Sequence, residues 1–478
     1  MAISSPGIST GLDVSSIVSQ LVAIERQPLA RLEAQESKLQ TKLSAFGRMQ
    51  SAMSAFQDAA RALNEPKTWK AATAASADDK AATVAASGSP APGGYTLEVQ
   101  QLAQRQTAAS ALFSGSAATP GAGTLHIQLG SVSGAGAFAA DGARAAVDVT
   151  IAAGDTLEQV RDKINGAAAG VSASIVKDGT GARLALRSTE SGASQAFRVT
   201  ATDDDGDASD ASGLSALTVD PSTGATSPMQ TTLAAHDAQF TIDGLALTSA
   251  TNKVEGAVEG LTVELKQAGG GPVELRVATD QAAIKAAITK FTDTYNALNT
   301  LIADQTKYDA ATKTAGALQG NATAVGIQSR LRTVLREQMS SAAPASTGAT
   351  APYSRLSDIG ITVQRNGTLA IDATRLDGAL ADPARVRQLF AASDEADATR
   401  NGFAQRFHKL TSSLLGSDGA ITTANESMQR MQKDLDSRQA EMERRLELTR
   451  TRLLKQYTDL DTKLGAVQSI DFSKVGLY

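Results

Sequence analysis

Apolar residues recur every seven positions near both ends of the chain. Met428, Leu435 and Met442 form one ladder; after a slip of four residues Leu446, Leu453, Leu460 and Val467 form a second, flanked by Met431, Tyr457 and Leu464. A heptad ladder lines one side of a helix and calls for a partner helix. A four-residue slip is a stutter, which unwinds a supercoil locally without breaking it. No Gly or Pro interrupts Ala420 to Leu464, and Glu426/Arg430, Asp434/Arg438, Glu441/Arg445 and Asp459/Lys463 place the acid four residues before the base, as a solvated helix favours. At 1.5 Å per residue such a helix is about 70 Å long. A matching ladder runs through Leu32, Leu39, Phe46 and Met53, with Leu43, Phe56 and Leu63 beside it, opened by Pro28 and stopped near Pro66. These ladders predict two terminal helices packed together. The plainer alternative is two helices buried in separate domains.

Asp13 is suited to cap a short helix whose face is Val14, Ile17, Val18 and Leu21, ending near Arg26 ahead of Pro28. Either it folds back on its own core, or it stays loose until it docks on another subunit; the second reading is preferred here. After Pro66 helical periodicity gives way to Ala, Thr, Ser, Gly and Val. Alternation predicts strands at 93–99, 124–129, 147–151, 171–176, 183–187, 196–201, 240–244, 261–265 and 273–277, with one short helix from Asp155 or Thr156 to Gly166. Helical pattern returns at Asp280 (Ile284, Ile288, Phe291, Tyr295, Leu298, Ile302) and at 321–339. Asn366-Gly367 between two alternating runs predicts a hairpin at 361–371, followed by two short helices and one through Phe403, Phe407, Leu410 and Leu414.

The expected fold is α+β and multidomain: a helical coiled-coil stalk built from both chain termini, with inserted β-rich head domains. Its boundaries are an N-terminal docking segment 1–27, a stalk of 28–69 with 280–464, an inner β module of 70–115 with 235–279, an outer β module of 116–234 and a tail of 465–478.

Composition narrows the function. The chain has 478 residues and net charge −5, with bases interleaved among acids, so nothing favours nucleic acid. It has no Cys, which excludes disulfides, thiol catalysis and thiolate metal sites. The N-terminus lacks the basic and apolar regions of a secretory signal, and no stretch approaches a membrane span. His126, His236 and His408 lie in different segments, whereas a metal site needs clustered ligands. Read as a calcium loop, Asp203-Asp204-Asp205-Gly206-Asp207 puts Ala208 at the position of the turn glycine and Leu214 at that of the bidentate Glu, so it reads as a solvated acidic turn. No phosphate-binding loop or nucleophile elbow occurs. No enzyme, metal or cofactor is expected, and Trp69, the single Trp, is expected to pack the junction of helices and head.

Gly7-Ile8-Ser-Thr-Gly11-Leu12-Asp13-Val14-x-Ser16-Ile17-Val18-x-Gln20-Leu21-Val22, then Glu25-x-x-Pro28-Leu29, resembles the N-terminal signature of the bacterial flagellar filament cap family, the hook-associated protein 2 family. The resemblance continues at Tyr95–Ala103, Phe240–Gly244, Asn252–Leu265, Leu356–Asp372 and the C-terminal helix, while 156–188 resembles the small module inserted in flagellins. It implies an extracellular homo-oligomeric ring at the flagellum tip. The protein would be exported through the flagellar type III apparatus without a cleaved signal peptide and would hold flagellin while it folds and inserts. It also implies contact with the hook–filament junction protein, and an export chaperone on the C-terminal region, where Leu460, Leu464, Val467 and Ile470 are the apolar candidates. Ile8, Leu12, Val14, Ile17, Val18 and Leu21 are the expected filament or junction anchors. Two alternatives stay open: a flagellin-like filament or junction subunit, and an adhesin whose β head binds host glycans. No role is read from the tail 471–478.

Overall fold

The ladders at the two ends of the sequence fold as long helices. The computed structural model describes residues 13–468 except 178, 205, 208, 209 and 341–350. Its helices in chain order are α1 (Val14–Glu25), α2 (Gln27–Asn64), α3 (Pro66–Trp69), α4 (Leu157–Gly166), α5 (Gln281–Thr306), α6 (Ala322–Arg336), α7 (Ala373–Ala379), α8 (Pro383–Ala391), α9 (Phe403–Leu415) and α10 (Ala420–Gln468). The chain divides into two compact units, residues 1–69 with 281–478 and residues 70–280.

In the helical unit, α2 packs on α5, α9 and α10. Its Phe46, Met49, Met53, Phe56, Ala60 and Leu63 recur at three- and four-residue steps and face one core with Ile288, Phe291, Tyr295, Phe390 and Phe407. Phe56 is the hub: its ring centroid lies 5.2 Å from Phe291, 5.6 Å from Tyr295 and 5.1 Å from Phe407, in tilted and edge contacts that suit ring quadrupoles. Trp69 belongs to this core, stacked on Phe390 at 6.2 Å with its indole N–H donating to the Leu63 carbonyl. The hairpin Ile361–Val363/Leu369–Ile371 forms around Gly367 at φ +83°. It is tied to α5: the Asn296 side chain donates to the Leu369 carbonyl (2.8 Å) and accepts from its N–H (2.7 Å), and the Tyr295 hydroxyl donates to the Gly367 carbonyl.

The β-rich unit holds two cores. A five-stranded antiparallel sheet, in the order Ala72–Ser76, Pro272–Thr279, Gly93–Gln101, Ala238–Ile242, Leu245–Ser249, shares the inner core with a three-stranded sheet of Lys253–Glu255, Leu261–Leu265 and Ala82–Ala86. Leu97, Val99, Phe240, Ile242, Val263 and Leu275 fill it. The outer core lies among α4, a sheet of Phe138–Ala140, Gly123–Val132, Val147–Ile151 and Ala196–Asp203, and a sheet of Gln230–Leu233, Thr107–Ala109, Ala182–Ser188 and Val171–Lys177. Thr156 and Gln159 close a capping box at the start of α4.

The expected boundary between inner and outer modules moves. Thr107–Ala109 and Gln230–Leu233, expected on either side of it, both pair into the outer sheet, and Ala108 is buried in the outer core. The strands cross between the cores at the Gln104/His236 bridge. Three small residues are too short a run to display a period of two, so only pairing reveals the strand. The acidic run has a structural use: the Asp203 carboxylate accepts from the Ser215 N–H and holds the turn at 213–217.

Candidate docking surfaces on the helical unit

Beyond the aromatic core, α2 and α10 continue as an antiparallel pair. Two side-chain bonds set their register: Asn425 donates to Gln50 (3.0 Å) and Gln439 donates to Glu36 (2.8 Å). That register sets Leu39 across from Leu435 and Leu32 across from Met442. Leu39 and Leu435 are buried, while Leu32, Met428 and Met442 are half-buried. Further along the same ladder, Phe46 and Met53 are fully buried in the large helical core, which also takes in Ile421 and Met428 of α10. The heptad ladder of α2 therefore serves two environments in turn.

Three of the expected ion pairs of α10 form, Arg430–Glu426, Arg438–Asp434 and Arg445–Glu441; among the described residues Asp459 and Lys463 are not paired with each other. Each formed pair has both side chains more than half exposed, so each contributes only tenths of a kcal/mol.

α1 is helical and packs on α10 of its own chain. The Asp13 carboxylate accepts from the Ser16 N–H (2.9 Å); this bond, with the Ser15 hydroxyl, holds its carboxyl below the usual range. Val14 and Val18 are each 2 % exposed, and Ile17 and Leu21 are half-buried. The preferred expectation, a helix without internal support, is thus corrected for α1. Because α10 runs past the start of α2, it offers α1 a face. Leu446 and Leu453 are half-buried, but Leu460 is 47 % and Leu464 38 % exposed, and Asp461 is buried in their place. A straight helix drifts about 20° per heptad relative to a seven-residue repeat. The contacted face has rotated by this point, where the partner is α1 rather than α2. The Val467 side chain, and Ile8, Leu12 and Ile470, lie outside the described residues.

Two open grooves flank the pair. One, of about 470 Å³, lies between Ser19, Val22, Ala23, Arg26 and Leu29 on one side and Glu443, Leu446, Glu447 and Arg450 on the other. The second, of about 320 Å³, is lined by Pro28, Arg31, Leu32, Arg438, Glu441, Met442 and Arg445. Ile24 (63 % exposed) and Leu448 (68 %) stand out from the surface. The heptad spacing does not single them out, because an isolated apolar residue among charges looks the same whether it is bare or covered. Among the described residues no cluster of three or more His, Cys, Asp or Glu is disposed to hold a metal, and no helix is long and apolar enough to cross a membrane.

Comparison with known proteins bears on this arrangement. Family models described as flagellar hook-associated protein 2 N-terminus and C-terminus match residues 10–106 and 235–469, and one described as the flagellin hook IN motif matches 125–190. The A-type flagellar hook-associated protein 2 of Pseudomonas aeruginosa is 32 % identical over 96 % of this chain and 94 % of its own length. Flagellar hook-associated protein 2 of Escherichia coli K12 is 29 % identical over 98 % of this chain and 96 % of its own. The solved D1-D2-D3 domains of the Escherichia coli flagellar cap protein superpose with a TM-score of 0.60 at 27 % identity, covering 80 % of this chain and 99 % of that one. Matched from end to end by a relative at this identity, the chain belongs to the flagellar hook-associated protein 2 family.

Proposed function

We propose that this protein caps the tip of a bacterial flagellar filament as a homo-oligomeric ring and promotes folding and insertion of exported flagellin. The observation that carries the reading is the match over 96 % of the chain to a flagellar hook-associated protein 2, together with the likeness of 80 % of the chain to a solved flagellar cap protein. The relatives above are named as hook-associated or cap proteins, and none is named as a flagellin or an adhesin. In this reading the filament or the hook–filament junction protein engages the distal part of α1 and α10, through Ile17, Leu21 and the exposed Ile24 and Leu448. Each anchor is small and partly exposed, so single contacts stay weak enough to release as subunits are added. An export chaperone would take the exposed Leu460 and Leu464 before assembly. Export proceeds without a cleaved signal peptide, and no residue has a catalytic role.

The test is restoration of filaments in cells lacking their own cap gene. The full chain is expected to restore filament growth and to reduce flagellin lost to the medium. Ile17→Asp with Leu21→Asp is expected to abolish both while leaving the circular dichroism of the β-rich unit unchanged. Full-length filaments in cells carrying the double variant would refute the assignment of these anchors, and no filaments with the unaltered chain in its own host would refute the capping reading.

A further inference from the structure

We infer that Asn165 guards the outer β module against strand addition. Its carboxamide occupies the backbone of the edge strand Val171–Lys177 and keeps a strand of another chain from pairing there.

Topology leaves this edge open. Val171–Lys177 ends its four-stranded sheet and pairs on one side only, with Ala182–Ser188. In an antiparallel pair, successive residues turn their N–H and C=O groups alternately towards the partner and away from it. Ala173 turns both away, and Val171 and Ile175, two positions to either side, share that direction. The run Val171–Val176 has no charge, Pro or Gly and holds three β-branched residues, and Val176 is 54 % exposed. An edge of that composition is a template for another chain.

One side chain interrupts it. At the end of α4, the Asn165 amide donates to the Ala173 carbonyl (3.0 Å), and its oxygen accepts from the Ala173 N–H (2.7 Å). A carboxamide presents a donor and an acceptor side by side, as a peptide group does, so it fills the place an added strand would take. Neither the helix nor the core accounts for this residue. Asn is a weak helix former, and Asn165 is exposed while Leu157, Val160 and Ile164 bury the inner face of α4.

The neighbouring sheet is treated the same way. It ends at Ala196–Asp203, where the Gln106 amide donates to the Phe197 carbonyl (2.9 Å) and accepts from its N–H (2.8 Å). There Val219 also pairs with Val199. Among the described residues no second backbone pairing covers the outward side of Val171–Lys177, so that edge depends on Asn165.

The test compares the full-length chain with Asn165→Ala. Because Asn165 lies outside the outer core, the change tests the edge and not the packing. Hydrogen exchange of the segment 171–177 should quicken about tenfold at Ala173. Light scattering and thioflavin-T emission of the concentrated variant should rise about threefold over the unaltered chain. Adding Ser174→Lys, a charge on the exposed face of the same strand, should return scattering and emission to the unaltered level while exchange at Ala173 stays fast. Unchanged exchange and scattering in Asn165→Ala would overturn the inference. Association that survives Ser174→Lys would overturn it too, because it then runs through another surface. Asn165→Ser, too short to bond both groups at once, takes the place of Asn165→Ala if that chain fails to fold. The capping reading stands apart from either result.

Discussion

Truncating Phe56 to Ala should unfold the helical unit selectively. The ring is fully buried and meets Phe291, Tyr295 and Phe407 within 5.6 Å, so its removal leaves a cavity walled by three other rings. Burial and cavity terms for a core Phe→Ala change amount to about 3–5 kcal/mol. The lost edge contacts place this site toward the upper end, since such pairs add about 0.5–1.5 kcal/mol beyond area. The assay is supplied by the sequence. Trp69 is the single Trp and lies in the same core, so its emission during urea unfolding reports this unit and not the β-rich one. With a urea slope of about 3 kcal/mol per molar, as for a large domain, the midpoint should fall by about 1–1.7 M. Val363→Ala, at a residue 51 % exposed, should leave it in place. A Phe56→Ala midpoint within about 0.3 M of the unaltered protein would refute the claim that this aromatic hub organises the unit.

Two further outcomes follow from titratable groups. The Asp155 carboxylate is held below the usual range by Lys163 and by the Ala152 N–H, so its stabilisation is present above the unfolded value near 3.8 and is lost as pH falls through the lower folded value. Asp155→Asn should speed hydrogen exchange across Val147–Gly166 at pH 7 and flatten its acid dependence, measured by mass spectrometry. Burial raises the Tyr295 hydroxyl from 10.0 to about 12, against an opposing pull from Arg332. The neutral phenol is the form that fits the fold, so its contribution is complete below pH 10 and declines as pH rises from there through about 12. Tyr295→Phe should cost about 1 kcal/mol at pH 7 and weaken the alkaline decline, read by Trp69 emission in urea.

Much of this architecture is dictated locally. The ladders of α2 and α10, the Asn366-Gly367 hairpin, the capped α4 and the alternating strands at 93–101 and 261–265 follow from side-chain spacing, because a period of seven or of two decides which residues can leave water together. The N-terminal signature carried the family, which the full-length relatives then established. The absence of Cys was equally legible.

What needed the tertiary structure were positions where spacing is silent or ambiguous. Ala72–Ser76 and Ala82–Ala86 are runs of small residues with little strand preference, and they are strands because Pro272–Thr279 and Leu261–Leu265 offer them open edges. Phe46 and Leu39 occupy equivalent heptad positions, yet Phe46 belongs to the large helical core and Leu39 lies in the helix pair beyond it. Leu460 keeps the repeat and still points outward, while Val14 and Val18 look like bare anchors and are covered. A sequence lists which residues seek burial. Which partner reaches them first depends on how far each helix extends and where its face has rotated, and those are properties of the assembled chain.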